Sequence, residues 1–131
     1  MDRIEALLNE PCWIIDILPA RVPADSPGQY FQVEEYFLKE RREAIKEKHI
    51  ALILKLNCYR DLELEGETDP APARLAEILR TRPAALLTGD ALILSEPDDT
   101  YLTLYHPDAP LLALVKALAA GEGLYVWPGQ A

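Results

Sequence analysis

Residues 50–64 read IALILKLNCYRDLEL, and the way this stretch folds decides the architecture. Ile50, Leu52, Leu54, Leu56, Cys58, Leu62 and Leu64 fall on even positions, whereas Lys55, Asn57, Tyr59, Asp61, Glu63 and Glu65 fall on odd ones. A period of two belongs to a half-buried strand, because successive side chains point to opposite faces. The spacing predicts a long one-sided strand, or two strands joined by a bulge where Arg60 interrupts the apolar face.

The same register continues into a run of acids. Asp61, Glu63, Glu65, Glu67 and Asp69 recur at every second position, so on extended backbone they would project from one face. Like charges that close repel, and the cost is offset by water, by a divalent cation or by a basic partner. The bland reading is a solvated edge whose charge discourages aggregation, and the functional one is a docking surface for a basic protein. The ligand order of a calcium-binding helix-loop-helix does not fit around Gly66.

Working outward toward the N-terminus, Ser26-Pro27-Gly28-Gln29 has the form of a helix start. It predicts a helix from about Pro27 to Lys48 with Val33, Tyr36, Phe37, Ala44 and Ile45 buried, and Glu34, Glu35, Lys39 and Arg42 in water. Trp13, Tyr30, Phe31, Tyr36 and Phe37 are spaced as core members. Ahead of the prolines at 19, 23 and 27, Cys12 to Leu18 reads as a strand apolar on both faces and hence interior to its sheet. Asp16 is its odd member. Desolvation would raise the pKa of that carboxyl unless a partner such as Arg60 neutralised it. A short helix over Asp2 to Leu8 precedes the strand and ends at Pro11.

Toward the C-terminus, Asp69 is expected to cap a helix starting at Pro70, with Leu75, Ile78 and Leu79 on its apolar side. Gly89-Asp90 between apolar stretches predicts a hairpin over 86–94, and Tyr101 to Tyr105 alternates again. Asp108 opens a last helix, expected to be largely buried and to end at Gly121, before a strand from Leu124 to Trp127. The order α-β-α-β-α-β-β-β-α-β indicates an α+β fold, with a mixed, mainly antiparallel sheet of about five or six strands packed by three or four helices. No repeat or linker divides residues 1–131.

The totals narrow the function classes. Among the 131 residues, 13 are basic and 22 acidic, a net charge of −9, which disfavours nucleic-acid binding. The run from Lys39 to Lys48 interleaves both signs, as a solvated helix face does. Cys12 and Cys58 are too few and too far apart for a disulfide scaffold or a zinc site, so buried free thiols are expected. No metal and no cofactor is implied. No run of about 20 apolar residues could span a bilayer, and the acidic N-terminus lacks the order of a secretory signal. A cytoplasmic location and no membrane contact are the expectation.

Catalytic constellations are thin. A nucleophile needs a base within hydrogen-bond reach, and the bases on offer are His49, at the junction of the long helix and the long strand, and His106, beside Asp108. Both residue types also serve as caps and surface residues. Asp16, Cys58, Tyr59, Arg60 and His106 are the pocket candidates, and Tyr59, Arg60 and Asp61 are the polar residues nearest the expected break in the long strand. Tyr101, Tyr105, Tyr125 and Trp127 are the aromatics free to form a protein-binding face. Two function classes follow. The first is an acidic interaction or inhibitor-like module for a basic partner through 61–69. The second is a small hydrolase using Asp16, Cys58 and His49 or His106. Self-association through the Tyr101–Tyr105 strand or the final strand is a third possibility.

Overall fold

The computed structural model describes residues 3–129 and turns most of the deciding stretch into helix. Four elements open the chain: α1 (Arg3–Leu7), β1 (Cys12–Asp16), α2 (Tyr30–Glu40) and α3 (Arg42–Asn57). Only the far end of the expected long strand is extended, as the short β2 (Glu63–Leu64). The reason lies in α3 itself. Ile45, His49, Leu52, Ile53 and Leu56 are buried on it, at intervals of four, three, one and three, which is a helical stripe rather than an alternation. Ile53 is fully buried although it sits at an odd position. Leucine, lysine, glutamate, alanine and arginine fill most of the rest, and all favour helix over strand.

The long helix expected over 27–48 is therefore two helices that meet at Arg41. This residue leaves helical geometry (φ −126°, ψ 11°), donates its N–H to Phe37 and offers its carbonyl to Ile45 N–H, so it ends one helix and starts the next. α2 begins at Tyr30, three residues later than expected, and Ser26 accepts only a local bond from Gly28 N–H. No residue of α2 is buried, so Val33, Tyr36 and Phe37 do not form the expected core stripe, and Phe31 is 76% exposed.

The remaining elements are β3 (Glu67–Thr68), α4 (Pro72–Thr81), β4 (Ala84–Thr88), β5 (Ala91–Ser95), β6 (Leu102–Tyr105), α5 (Ala109–Gly121) and β7 (Tyr125–Pro128). The fold is α+β, with five helices and one sheet of seven strands among the described residues, slightly more than expected, and every pairing is antiparallel. The sheet order is β3-β2-β4-β5-β6-β1-β7. β1 is interior, as its two apolar faces require. β6 is interior as well, so both backbone edges of the Tyr101–Tyr105 region are taken.

One sheet face carries Ile15, Leu64, Leu86, Ile93, Leu102 and Leu104 and packs under α3, α4 and α5 to make the main core. On the other face, Leu7 and Ile4 of α1 cover Leu87, Leu92, Leu94 and Tyr105. Asp2, expected to begin that first helix, lies outside the described residues. Beyond α1 the second face runs onto β1 and β7, where the cover among the described residues is the segment 17–29 and the start of α2. The cleft described below opens there.

Local chemistry fixes the ends. Asp108 Oδ1 accepts from Leu111 N–H at 2.8 Å, the expected cap of α5. At the other end, Leu124 N–H bonds Ala119 C=O and Gly123 N–H bonds Ala120 C=O, with Gly123 at φ +75°. The left-handed glycine of this stop is thus Gly123, and Gly121 is the last helical residue. Only Leu111, Val115 and Ala119 of α5 are buried, so the helix is half-exposed, and Lys116 lies over the Trp13 ring at 4.8 Å.

Asp69 does not cap α4, which starts at Pro72 after Ala71. It adopts φ +50°, and its Oδ1 accepts from Leu62 N–H and Asn57 Nδ2, tying the end of α3 to the start of β2. Gly129 N–H bonds Cys12 C=O at 2.9 Å, so the alternation of the ladder turns Val126 and Pro128 toward the free edge of β7. Proline's missing N–H costs no bond there and blunts the edge. Among the described residues, no helix is long and apolar enough to cross a membrane.

Candidate functional site

A cleft of about 630 Å³ opens over the outer face of β1 and β7. Ile14, Asp16 and Trp127 come from the strands, Tyr101 from the approach to β6, Leu18 to Gly28 from the connecting segment, and Tyr30 and Phe31 from the first turn of α2. Strand alternation puts these side chains together: Ile14 pairs with Trp127 and Asp16 with Tyr125, all on the face opposite the main core. Trp127 Nε1 donates to Leu18 C=O at 3.1 Å and so straps the segment across the sheet. Tyr30 and Phe31 meet edge to face, their centroids 5.4 Å apart.

Asp16 is the carboxylate of this cleft and is only 9% exposed. Burial pushes its pKa up, against backbone hydrogen bonds from Ile17 and Leu18, and the charged neighbour acting on it is Glu34, which pushes the same way. Ile17 N–H lies 2.7 Å from Oδ1. Tyr30 donates to Glu34 at 2.8 Å, and burial together with that acceptor holds its phenol up to about 12. Burial, followed by the charge of Asp99, raises Tyr101. Arg21, itself exposed, is the one basic residue on the wall. The recess is thus aromatic, with one buried carboxylate, Asp16, at its wall, one exposed cation, Arg21, at its rim, and Glu34 acting on Asp16 from nearby.

A second polar cluster is sealed inside the core. Lys46 Nζ lies 2.8 Å from Glu96 C=O, 3.1 Å from His49 Nδ1 and 3.4 Å from Ser95 Oγ. Burial lowers Lys46 to about 8, against the pull of Asp99, Glu96 and Asp98. Burial, reinforced by the Lys46 charge, lowers His49 to about 3. His49 is therefore a neutral ring whose Nδ1 accepts from the ammonium, leaving Nε2 buried without a well-formed hydrogen bond. The cluster anchors the β5–β6 turn onto α3.

The expected acidic surface is dispersed by the backbone. Glu65 and Asp69 take left-handed conformations at φ +52° and +50°, so 61–69 is not one extended run. Glu65 is paired with Arg82 and Glu67 with Arg74, and these guanidinium groups serve as the basic partners within the chain. Asp61 hydrogen-bonds Asp69, which raises the pKa of Asp61, while the Leu62 N–H, then Asn57 and Asp61, lower that of Asp69. Glu63 pairs across the sheet with Leu87 and Thr68. Among the described residues, no group of three or more histidine, cysteine or acidic side chains is placed to hold a metal.

Of the pocket candidates, the cleft contains Asp16 alone. Cys58 and Tyr59 are exposed past the end of α3, and Cys58 Sγ lies against Leu54 C=O. Cys58 is thus surface-exposed rather than buried, and Cys12 is half-buried on β1. Arg60 pairs with Asp108 at 3.6 Å and not with Asp16. His106, at φ +54°, places Nδ1 3.1 Å from Asp90 C=O. His49 belongs to the Lys46 cluster. Sequence reasoning singled out Asp16 and Trp127 but counted Tyr30 and Phe31 as core. The prolines at 19, 23 and 27 before Tyr30 were the available signal, because proline stiffens the connecting segment that lines the cleft. Compared with known proteins, the chain matches no family model, no curated protein and no solved structure.

Proposed function

We propose that this protein is an interaction module that receives a positively charged side chain of a partner protein in the cleft around Asp16. The observation carrying this reading is a carboxylate kept from water beneath aromatic walls, with a second carboxylate, Glu34, as its acting charged neighbour. A desolvated negative charge beside π faces attracts a cation more strongly than the same groups would in water. The overall charge of −9 adds long-range attraction for a basic partner. The reading keeps the basic partner suggested by composition and moves its seat from residues 61–69 to the cleft. A cytoplasmic setting, with neither cysteine in a disulfide, belongs to the same proposal.

The test is fluorescence titration of a Trp13→Phe variant, leaving Trp127 as reporter, with lysine- and arginine-containing peptides and glutamine-substituted controls. Binding of the charged peptides should weaken with added salt and be largely lost in Asp16→Asn, which keeps the oxygen that Ile17 N–H requires. Equal responses to charged and neutral peptides would reject the proposal.

The hydrolase alternative finds less support. It needs a base or nucleophile beside Asp16, whereas His49, His106 and Cys58 bond to groups outside the cleft.

A further inference from the structure

The cleft has a chemical bias that charge alone does not express. Three of its polar atoms are engaged by the chain itself: Asp16 Oδ1 by Ile17 N–H, the Tyr30 hydroxyl by Glu34, and Trp127 Nε1 by Leu18 C=O. Four aromatic side chains, Tyr30, Phe31, Tyr101 and Trp127, line the cleft beside the Asp16 carboxylate. A primary ammonium brings three N–H donors and a guanidinium five, each losing a water that must be replaced. A quaternary ammonium brings none. Its charge is spread over methyl groups that pack against aromatic rings, and recognition of such cations by aromatic cages follows from that.

We infer that the preferred occupant of the cleft is a trimethylated lysine carried on a segment of a protein partner. The inference rests on the reading of the cleft as a docking site for a cationic side chain. A volume of about 630 Å³ exceeds a trimethylammonium head and accommodates residues flanking the modified lysine, which favours a peptide over a small free cation. Charge complementarity selects the partner, since a second copy of this chain would bring another −9.

The experiment uses the full chain and two peptides of identical sequence, one with lysine and one with trimethyllysine at the centre, together with tetramethylammonium and choline. The trimethylated peptide is expected to bind at least tenfold more tightly than its unmodified twin, and more tightly than either small cation. Phe31→Ala, at a site 76% exposed and so harmless to folding, should reduce the preference severalfold. Equal or tighter binding of the unmodified peptide would overturn this inference and leave the docking reading standing. Choline binding as tightly as the trimethylated peptide would overturn the assignment to a protein segment. Failure of every cation to bind would remove both readings together.

Discussion

Lys46 Nζ lies 3.1 Å from His49 Nδ1, one turn apart on α3 and both closed off from solvent. Two groups that ordinarily carry positive charge thus share one buried space, and only one of them is charged.

This pairing sets a pH dependence. His49 binds its proton near pH 3 when folded and near 6.5 when unfolded, so between those values the unfolded chain holds more protons and stability falls as pH drops from 6.5 toward 3. Lys46 is protonated on both sides of unfolding below pH 8. Between 8 and 10.5 only the unfolded state keeps its proton, so this residue's contribution improves as pH rises. Urea denaturation of wild type and Lys46→Met should show wild type gaining on the variant from pH 8 to 9.5. In acid, wild type should lose on the order of a few kcal/mol relative to His49→Asn. Parallel curves would contradict the buried pair.

Helix or strand at 50–57 is decided by two neighbours. Ile53 is fully buried on α3 and Leu54 only partly. Ile53→Ala should cost about 2–5 kcal/mol and Leu54→Ala clearly less, whereas an alternating strand would reverse the order. Chemical denaturation of the two variants measures this directly.

A side chain at Gly129 has no room. A Cβ there would stand 2.6 Å from Cys12 Sγ and 3.3 Å from two carbons of Ile14. Gly129→Ala should destabilise by about 1–3 kcal/mol, and Cys12→Ala in the same chain should restore much of the loss. A double-mutant cycle with no coupling would refute the contact.

Asp69 joins two elements through one oxygen and holds a left-handed backbone that alanine tolerates poorly. Asp69→Ala should lower the urea midpoint more than Asp69→Asn, which retains an acceptor and the same backbone tolerance. Identical midpoints for the two would show that neither feature matters.

In the cleft, the carboxyl of Asp16 protonates above the ordinary aspartate value of 3.8. Affinity for a cationic peptide should therefore begin to fall at a higher pH on acidification than an exposed aspartate would allow. Arg21→Gln, which removes the like charge from the wall, should strengthen binding. An affinity insensitive to pH down to 3.8 would argue against Asp16 as the counter-charge.

How far the fold was legible follows from these same residues. The hairpin at Gly89, the interior position of β1 and the Asp108 cap were readable, because each depends on neighbours in sequence or on a short pattern. The 50–64 stretch misled because Leu52 and Leu56 satisfy a period of two and a helical stripe at once, and Leu54 between them completes the alternation. Ile45, His49 and Ile53 break the tie, and they do so only when the window extends back past His49. The break at Arg41 involves neither proline nor glycine and left no local mark. In the cleft, Asp16 stood out as an acid among apolar residues. Its aromatic walls come from segments up to about a hundred positions apart, and only the sheet order brings them together.

Because α2 contributes nothing to the sealed interior and is joined to α3 through the single hinge residue Arg41, its sequence is cheap to change. Ligand choice at Tyr30 and Phe31 is thereby uncoupled from the survival of the fold. A library randomised along Gln29 to Glu40 should yield folded members in large proportion, which makes this helix the natural place to retune what the protein captures.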